Sequence, residues 1–214
     1  MRSTASGGRD GDEFVPLTSE IRTSFTTWCD NKACLEDPIV VSLTERMSDV
    51  ALVPPNNSEF IQLLRYKACP HPAHPDCQFY KRHHDTIPEL EKMPCGPRVY
   101  TFFLYLSDVE EGGGTRFPQI RNPETGEQLI VQPKRGTAVW WPHGMEHNLW
   151  QQDKRTHHEA MPVISGVKKA ANYWIHGLDF KGSMAAGCDG RQQLKPRIWR
   201  TGDGPQRPPG NMRQ

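Results

Sequence analysis

Apolar residues recur at every fourth position at Ile39, Leu43 and Met47. That spacing puts the three on one face of an α-helix. Asp37 is suited to cap such a helix, and Pro38 to occupy its first turn. The pattern predicts a helix over residues 36–51, ended by "NNSEF". Beyond it the period changes. Short runs rich in aromatic and β-branched residues follow: "EFIQLLRY", "RVYTFFLYLSD", "TAVWWP" and "AANYWIH". Each reads as a strand. A Pro-rich insert, "KACPHPAHPDC", follows the first run, and a glycine turn, "EEGGGTRFP", follows the second. One main helix with several short strands predicts a mainly β fold with supporting helices, a sandwich or a jelly roll.

Composition adds bounds. A chain of 214 residues fits one domain with tails. Residues 1–13 are rich in Gly, Ser and charge and predict a disordered tail, and residues 183–214 predict an irregular one ending in Pro and Gly. The catalytic or binding unit is expected over 14–182. No run of about 18 apolar residues exists, so no membrane span is expected. The opening "MRSTASGGRDGDEF" has no apolar stretch, so no signal peptide is expected in this chain. The net charge is +1, which argues against a nucleic-acid partner held by phosphate neutralisation. Six cysteines include two close pairs, in "CDNKAC" and "CPHPAHPDC". Even number and close pairing favour disulfides and an oxidising compartment, against six reduced thiols in a cytosolic protein. Within the insert, Cys69, His71, His74 and Cys77 could instead hold zinc, and an unbridged loop is the third reading.

The chemistry centres on "FYKRHHDTIP". Histidine clusters arise by chance, so the plain alternative is a polar loop. In a strand, residues i and i+2 share a face. His83 and Asp85 are so spaced, and His84 points the other way. A third metal ligand must come from elsewhere, and "RTHHEAMPV" offers His157 or His158. Two histidines and a carboxylate on one side of a metal suit Fe(II) with open positions, with zinc as the rival. Lys168 follows in "SGVKKAANYWIH". On a strand it shares a face with Trp174 and His176, while Lys169 faces away. An inward lysine implies an anion to meet it, and a solvated strand end is the competing reading.

Taken in order, "IRTSFTTW", "LLRY", "FYKRHHD", "PRVYTFFLYLSDVEEGGGTRFP", "VQPKRGTAVWWP" and "RTHHEAMPVISGVKKAANYWIH" cover most of residues 21–180. In that series the chain resembles the prolyl 4-hydroxylases of the 2-oxoglutarate- and Fe(II)-dependent dioxygenase superfamily, in its algal and plant branch more than in the animal oxygen sensors. The resemblance implies a double-stranded β-helix core, that is, a cupin-like jelly roll. It implies His83, Asp85 and His158 as the iron ligands. It implies Lys168 and Thr115 on the distal carboxylate of 2-oxoglutarate, with Tyr66 and Tyr105 as further cosubstrate contacts. Arg98, Trp174 and His176 match positions lining a peptide groove.

The implied reaction consumes O2 and 2-oxoglutarate, releases succinate and CO2, and hydroxylates a peptidyl proline, with L-ascorbate as reductant. The implied partner is a Pro-rich segment, whose preformed extended conformation suits an aromatic groove. The alternatives are hydroxylation of another side chain such as lysine, or a Pro-rich-peptide binding module without catalysis. The paired cysteines and the eukaryotic relatives point to the endoplasmic reticulum lumen or another secretory compartment. Three departures stand out. The strand and helix that usually precede "RTS" do not fit before it here, so a fragment or a shortened domain is expected. The usual glycine ahead of the ligand strand is absent. Only "GCDG" stands where relatives carry a Cys-rich module.

Overall fold

The computed structural model describes residues 15–16, 22–75, 77–87 and 93–187. The two expected tails therefore lie outside the described residues, except for 183–187. In chain order the elements are β1 (Val15–Pro16), β2 (Phe25–Trp28), α1 (Lys32–Leu35), α2 (Pro38–Ala51), β3 (Gln62–Lys67), β4 (Tyr80–His83) and β5 (Arg98–Tyr105). There follow β6 (Glu111–Gly112), β7 (Thr115–Arg121), β8 (Gln128–Val131), β9 (Ala138–Pro142), β10 (Gly144–Met145) and β11 (Asn148–Gln152). The last are β12 (His158–Ala160), β13 (Val163–Ser165), β14 (Val167–His176) and α3 (Phe180–Ala185). The boundary expected at 182 falls inside α3, whose N-cap Asp179 accepts from the Gly182 amide at 2.8 Å.

The strands form a jelly roll of antiparallel sheets. Six run in the order β1-β2-β3-β14-β5-β9 and four in the order β4-β12-β7-β8. Strands β13 and β6, and β10 and β11, pair separately. Strand β5, between β14 and β9, is buried on both faces, and its alternation explains why. Phe102 and Leu104 enter a cluster with Met47 of α2, Tyr173 and Ile175. Phe103 and Tyr105 enter a second cluster, with Tyr66, Phe117, Trp141 and Val163. The second cluster spans both large sheets and floors the site described below.

Helix α2 packs on the other face of the six-stranded sheet. Asp37 caps it as expected, its Oδ1 accepting from the Ile39 amide at 2.8 Å and the Val40 amide at 3.3 Å. The expected apolar stripe shifts, however. Ile39 is 77% exposed, and the packed face is Val40, Leu43, Met47 and Ala51. A strict four-residue step drifts off a helix of 3.6 residues per turn, and the mixed three- and four-residue steps from Val40 follow the core. Burying Met47 contributes about 2 kcal/mol.

Both close cysteine pairs are bridged. Cys29 and Cys34 have Cα atoms 5.4 Å apart, and Cys69 and Cys77 5.1 Å apart. The second bridge occupies both thiols that a zinc site in the insert needed. Cys95 is free and buried.

Candidate metal centre

Strand register brings two histidines face to face. In the antiparallel pair β12–β4, His158 lies directly opposite His83. Opposed side chains in such a pair sit about 5 Å apart at Cβ. Strand β4 ends at His83, and the chain bends at Asp85. Parity at i, i+2 requires an unbroken strand through Asp85, and the chain bends there instead. The outcome is still convergence: Asp85 Oδ1 is 3.5 Å from His83 Nε2, and Asp85 Oδ2 is 3.7 Å from His158 Nε2. The ligand atoms of His83, Asp85 and His158 all lie within 4.8 Å of one another. No other such group of three occurs among the described residues.

The donor set fits a divalent cation. His83 Nδ1 faces the Lys81 carbonyl at 2.8 Å, and His158 Nδ1 faces the Thr156 carbonyl at 3.0 Å. A carbonyl only accepts, so each Nδ1 carries the ring proton and each Nε2 is left with its lone pair. Burial, with His83 beside it, pushes His158 down to about 4, which keeps its ring neutral. Burial alone would raise Asp85, but His158, His83 and His143 outweigh it and hold the carboxyl well below the usual range. A neutral imidazole at His158 and an ionised carboxylate at Asp85 are protonation states that metal binding requires.

The neighbouring histidines do other things. His84 Nδ1 accepts from the Thr86 hydroxyl at 2.6 Å, and its Nε2 lies 3.2 Å from Thr156 Oγ1. His157 turns its Nδ1 to the Lys154 carbonyl at 2.9 Å. His143 was not anticipated. It is 1% exposed, with Nε2 3.6 Å from Asp85 Oδ2. Strand parity with the buried Trp141 carried the signal, since both residues fall on the inner face of one segment.

Next to the ligands lies a small cavity lined by Tyr66, Tyr80, Phe103, Thr115 and Asn172 together with the three ligands. Register again explains one wall, because Lys168 of β14 pairs with Tyr66 of β3. Lys168 is 0% exposed, so the inward reading holds over the solvated strand end, and Lys169 is exposed. Lys168 Nζ donates to the Gly113 carbonyl at 2.7 Å and sits 5.3 Å from the Tyr66 ring centroid and 5.4 Å from that of Tyr105. That carbonyl is its one hydrogen-bond acceptor among the described residues, and an ammonium has three protons to give. Burial lowers its pKa to about 7. The Tyr105 hydroxyl donates to Thr115 Oγ1 at 2.7 Å. An under-accepted buried ammonium, ringed by Tyr66, Phe103 and Tyr105, fits a small carboxylate.

The comparisons agree with this geometry. The family model of the 2OG-Fe(II) oxygenase superfamily matches residues 61–176, which is β3 through β14 and contains every candidate ligand. The chain belongs to the 2OG-Fe(II) oxygenase superfamily. Among relatives of this chain, Arabidopsis thaliana prolyl 4-hydroxylase 1 is 34% identical over 170 residues, covering 74% of this chain and 55% of the relative. Chicken (Gallus gallus) prolyl 4-hydroxylase subunit alpha-2 is 32% identical over 171 residues, covering 78% and 28%. The chain thus spans about a quarter to about half the length of the curated relatives it matches. Plant and animal relatives match at similar levels. Among solved structures, the viral collagen prolyl hydroxylase vCPH of Paramecium bursaria Chlorella virus-1, in its 2OG complex, superposes with a TM-score of 0.56 at 26% identity, over 74% of this chain and 81% of that one.

The fold places the expected groove residues differently from the sequence reading. Arg98, Trp174 and His176 are 8%, 5% and 0% exposed, so as they stand they present no groove surface. They form a buried ionic cluster around Glu59, which the sequence reading missed. Arg98 donates from Nη2 to Glu59 Oε2 at 2.9 Å and from Nε to Oε1. His176 Nε2 lies 2.9 Å from Glu59 Oε1, and the Arg98 guanidinium stacks 3.9 Å over Trp174. Arg98 Nη1 also reaches the Asp85 carbonyl at 3.3 Å, which ties the cluster to a metal ligand. The reason is sheet position: β14 and β5 are neighbours inside the six-stranded sheet, each with a strand on both sides, and these residues are covered.

Proposed function

We propose that this chain is an Fe(II)- and 2-oxoglutarate-dependent dioxygenase that hydroxylates peptidyl proline. The observation that carries the proposal is the His83–Asp85–His158 cluster sharing a cavity wall, Tyr66, with the buried ammonium of Lys168. Iron and 2-oxoglutarate, when bound, supply the O2 activation and C–H oxidation that no protein side chain can perform. The chain's own residues do the rest. His83, Asp85 and His158 hold the metal. Lys168 and Thr115 receive the far carboxylate of 2-oxoglutarate, with the Tyr105 hydroxyl behind Thr115. Phe103, Leu64 and Ala160 give the cavity apolar walls that exclude water.

Proline as the target rests on the relatives, whose names are those of prolyl 4-hydroxylases. Ascorbate is the proposed reductant. Two disulfides support a secretory compartment such as the endoplasmic reticulum lumen, where oxidising conditions preserve them. The test incubates the Fe(II)-loaded chain with 2-oxoglutarate, ascorbate and a peptide panel. Succinate release and a gain of one oxygen on proline are expected with Pro-rich peptides. Tight peptide binding without succinate above the uncoupled level would favour a binding module. A gain of oxygen on lysine alone would move the target.

A further inference from the structure

Three polar contacts run in series behind Asp85. The Arg98 carbonyl lies 3.1 Å from His143 Nδ1, His143 Nε2 lies 2.6 Å from Thr101 Oγ1, and Thr101 Oγ1 lies 2.7 Å from Asp85 Oδ2. All four residues are buried. Protons can be counted along this series. A neutral imidazole brings one and a hydroxyl brings one, while a carbonyl and an ionised carboxylate bring none. Two protons must serve three contacts. With the ring proton on Nδ1, His143 donates to Arg98, Thr101 donates to His143, and Asp85 Oδ2 lacks this donor. With it on Nε2, His143 donates to Thr101, Thr101 donates to Asp85, and the Arg98 carbonyl goes without. In both arrangements the imidazole decides where the Thr101 hydroxyl points.

We propose that His143 is a positioning residue: acting through the Thr101 hydroxyl, it fixes the orientation of the Asp85 carboxylate and so the grip on the metal. This rests on the metal-site reading above. A residue present only for its volume would not need a polar contact at each ring nitrogen. His143 itself lies outside the ligand cluster, so its effect on the metal passes through Asp85.

The test is equilibrium titration of the metal-free chain with Mn(II), with Tm recorded for each variant. His143→Leu keeps volume but no polar atom, and should weaken metal binding about tenfold, as removal of a ligand's hydrogen-bonding support does. His143→Gln returns a polar group opposite Thr101 and should recover most of the affinity. Thr101→Val should lose as much as His143→Leu, and the double variant no more than either. Parent-like Mn(II) binding in His143→Leu overturns the proposal. So does a Gln variant as weak as Leu, or a double variant whose losses add. Should His143→Leu not fold, the Gln variant must bind like the parent and lose about tenfold on addition of Thr101→Val. A parent chain that binds no metal would instead overturn the metal site itself.

Discussion

His83 and His84 are consecutive in the chain and serve separate networks. The His83 Nε2 lies 3.5 Å from Asp85, whereas both His84 nitrogens face threonine hydroxyls, of Thr86 and Thr156. The difference predicts opposite outcomes for two similar variants. His83→Ala should lose its iron, lowering affinity by at least about tenfold. His84→Ala should keep a full metal complement. Metal analysis after desalting checks both, and the reverse result would mean that the ligand register is off by one residue.

Lys168 predicts a proton linkage. Burial lowers it from 10.5 to about 7. Between those values the unfolded chain holds a proton that the folded, cosubstrate-free protein has released. Stability from this group therefore rises as pH rises through 7 towards 10.5. A bound carboxylate favours the charged ammonium and reverses the release. Calorimetry of 2-oxoglutarate binding near pH 8, in buffers of different ionisation enthalpy, should show net proton uptake. Lys168→Met should abolish that uptake and weaken cosubstrate binding.

The Glu59 cluster predicts a stability window. Burial would raise Glu59, but Arg98 and then His176 outweigh it and hold the carboxyl at about 2, against an ordinary 4.5. Its stabilisation is present above pH 4.5 and lost as pH falls towards 2. Burial would lower His176, but Cys95, Glu59 and the Gly96 carbonyl raise it to about 9 from 6.5. Its contribution is present below pH 6.5 and lost as pH rises towards 9. Glu59→Gln leaves Arg98 buried without its counter-ion and should cost about 3–5 kcal/mol in urea unfolding.

The Cys69–Cys77 bridge predicts a redox-sensitive insert. Reduction, or Cys69→Ser with Cys77→Ser, should cost about 2.5 kcal/mol, from closure of so short a loop. Differential alkylation should find Cys95 modified only after unfolding and these two only after reduction.

Much of this was legible in the sequence, for identifiable reasons. Strand β5 announced itself because burial on both faces demands an unbroken aromatic and β-branched run. Strands β8 and β11 did not, since "QLIV" is short and all five residues of "NLWQQ" are exposed. His83 and Asp85 could be paired by local spacing. The choice of His158 over His157 needed the family resemblance, and the β12–β4 register now supplies the physical ground. Glu59, Thr101 and His143 escaped notice because each acts through contacts with residues far along the chain. Nothing in the near neighbours of Glu59 shows that it will be buried against Arg98, 39 positions away.

The bridge across the insert also bears on how this chain could be altered. Its two cysteines close the loop at a Cα separation of 5.1 Å, between the strand carrying Tyr66 and the strand carrying His83. The bridge makes the loop a grafting port: recognition peptides of other lengths could be spliced between the cysteines, whose link holds the loop's two ends together.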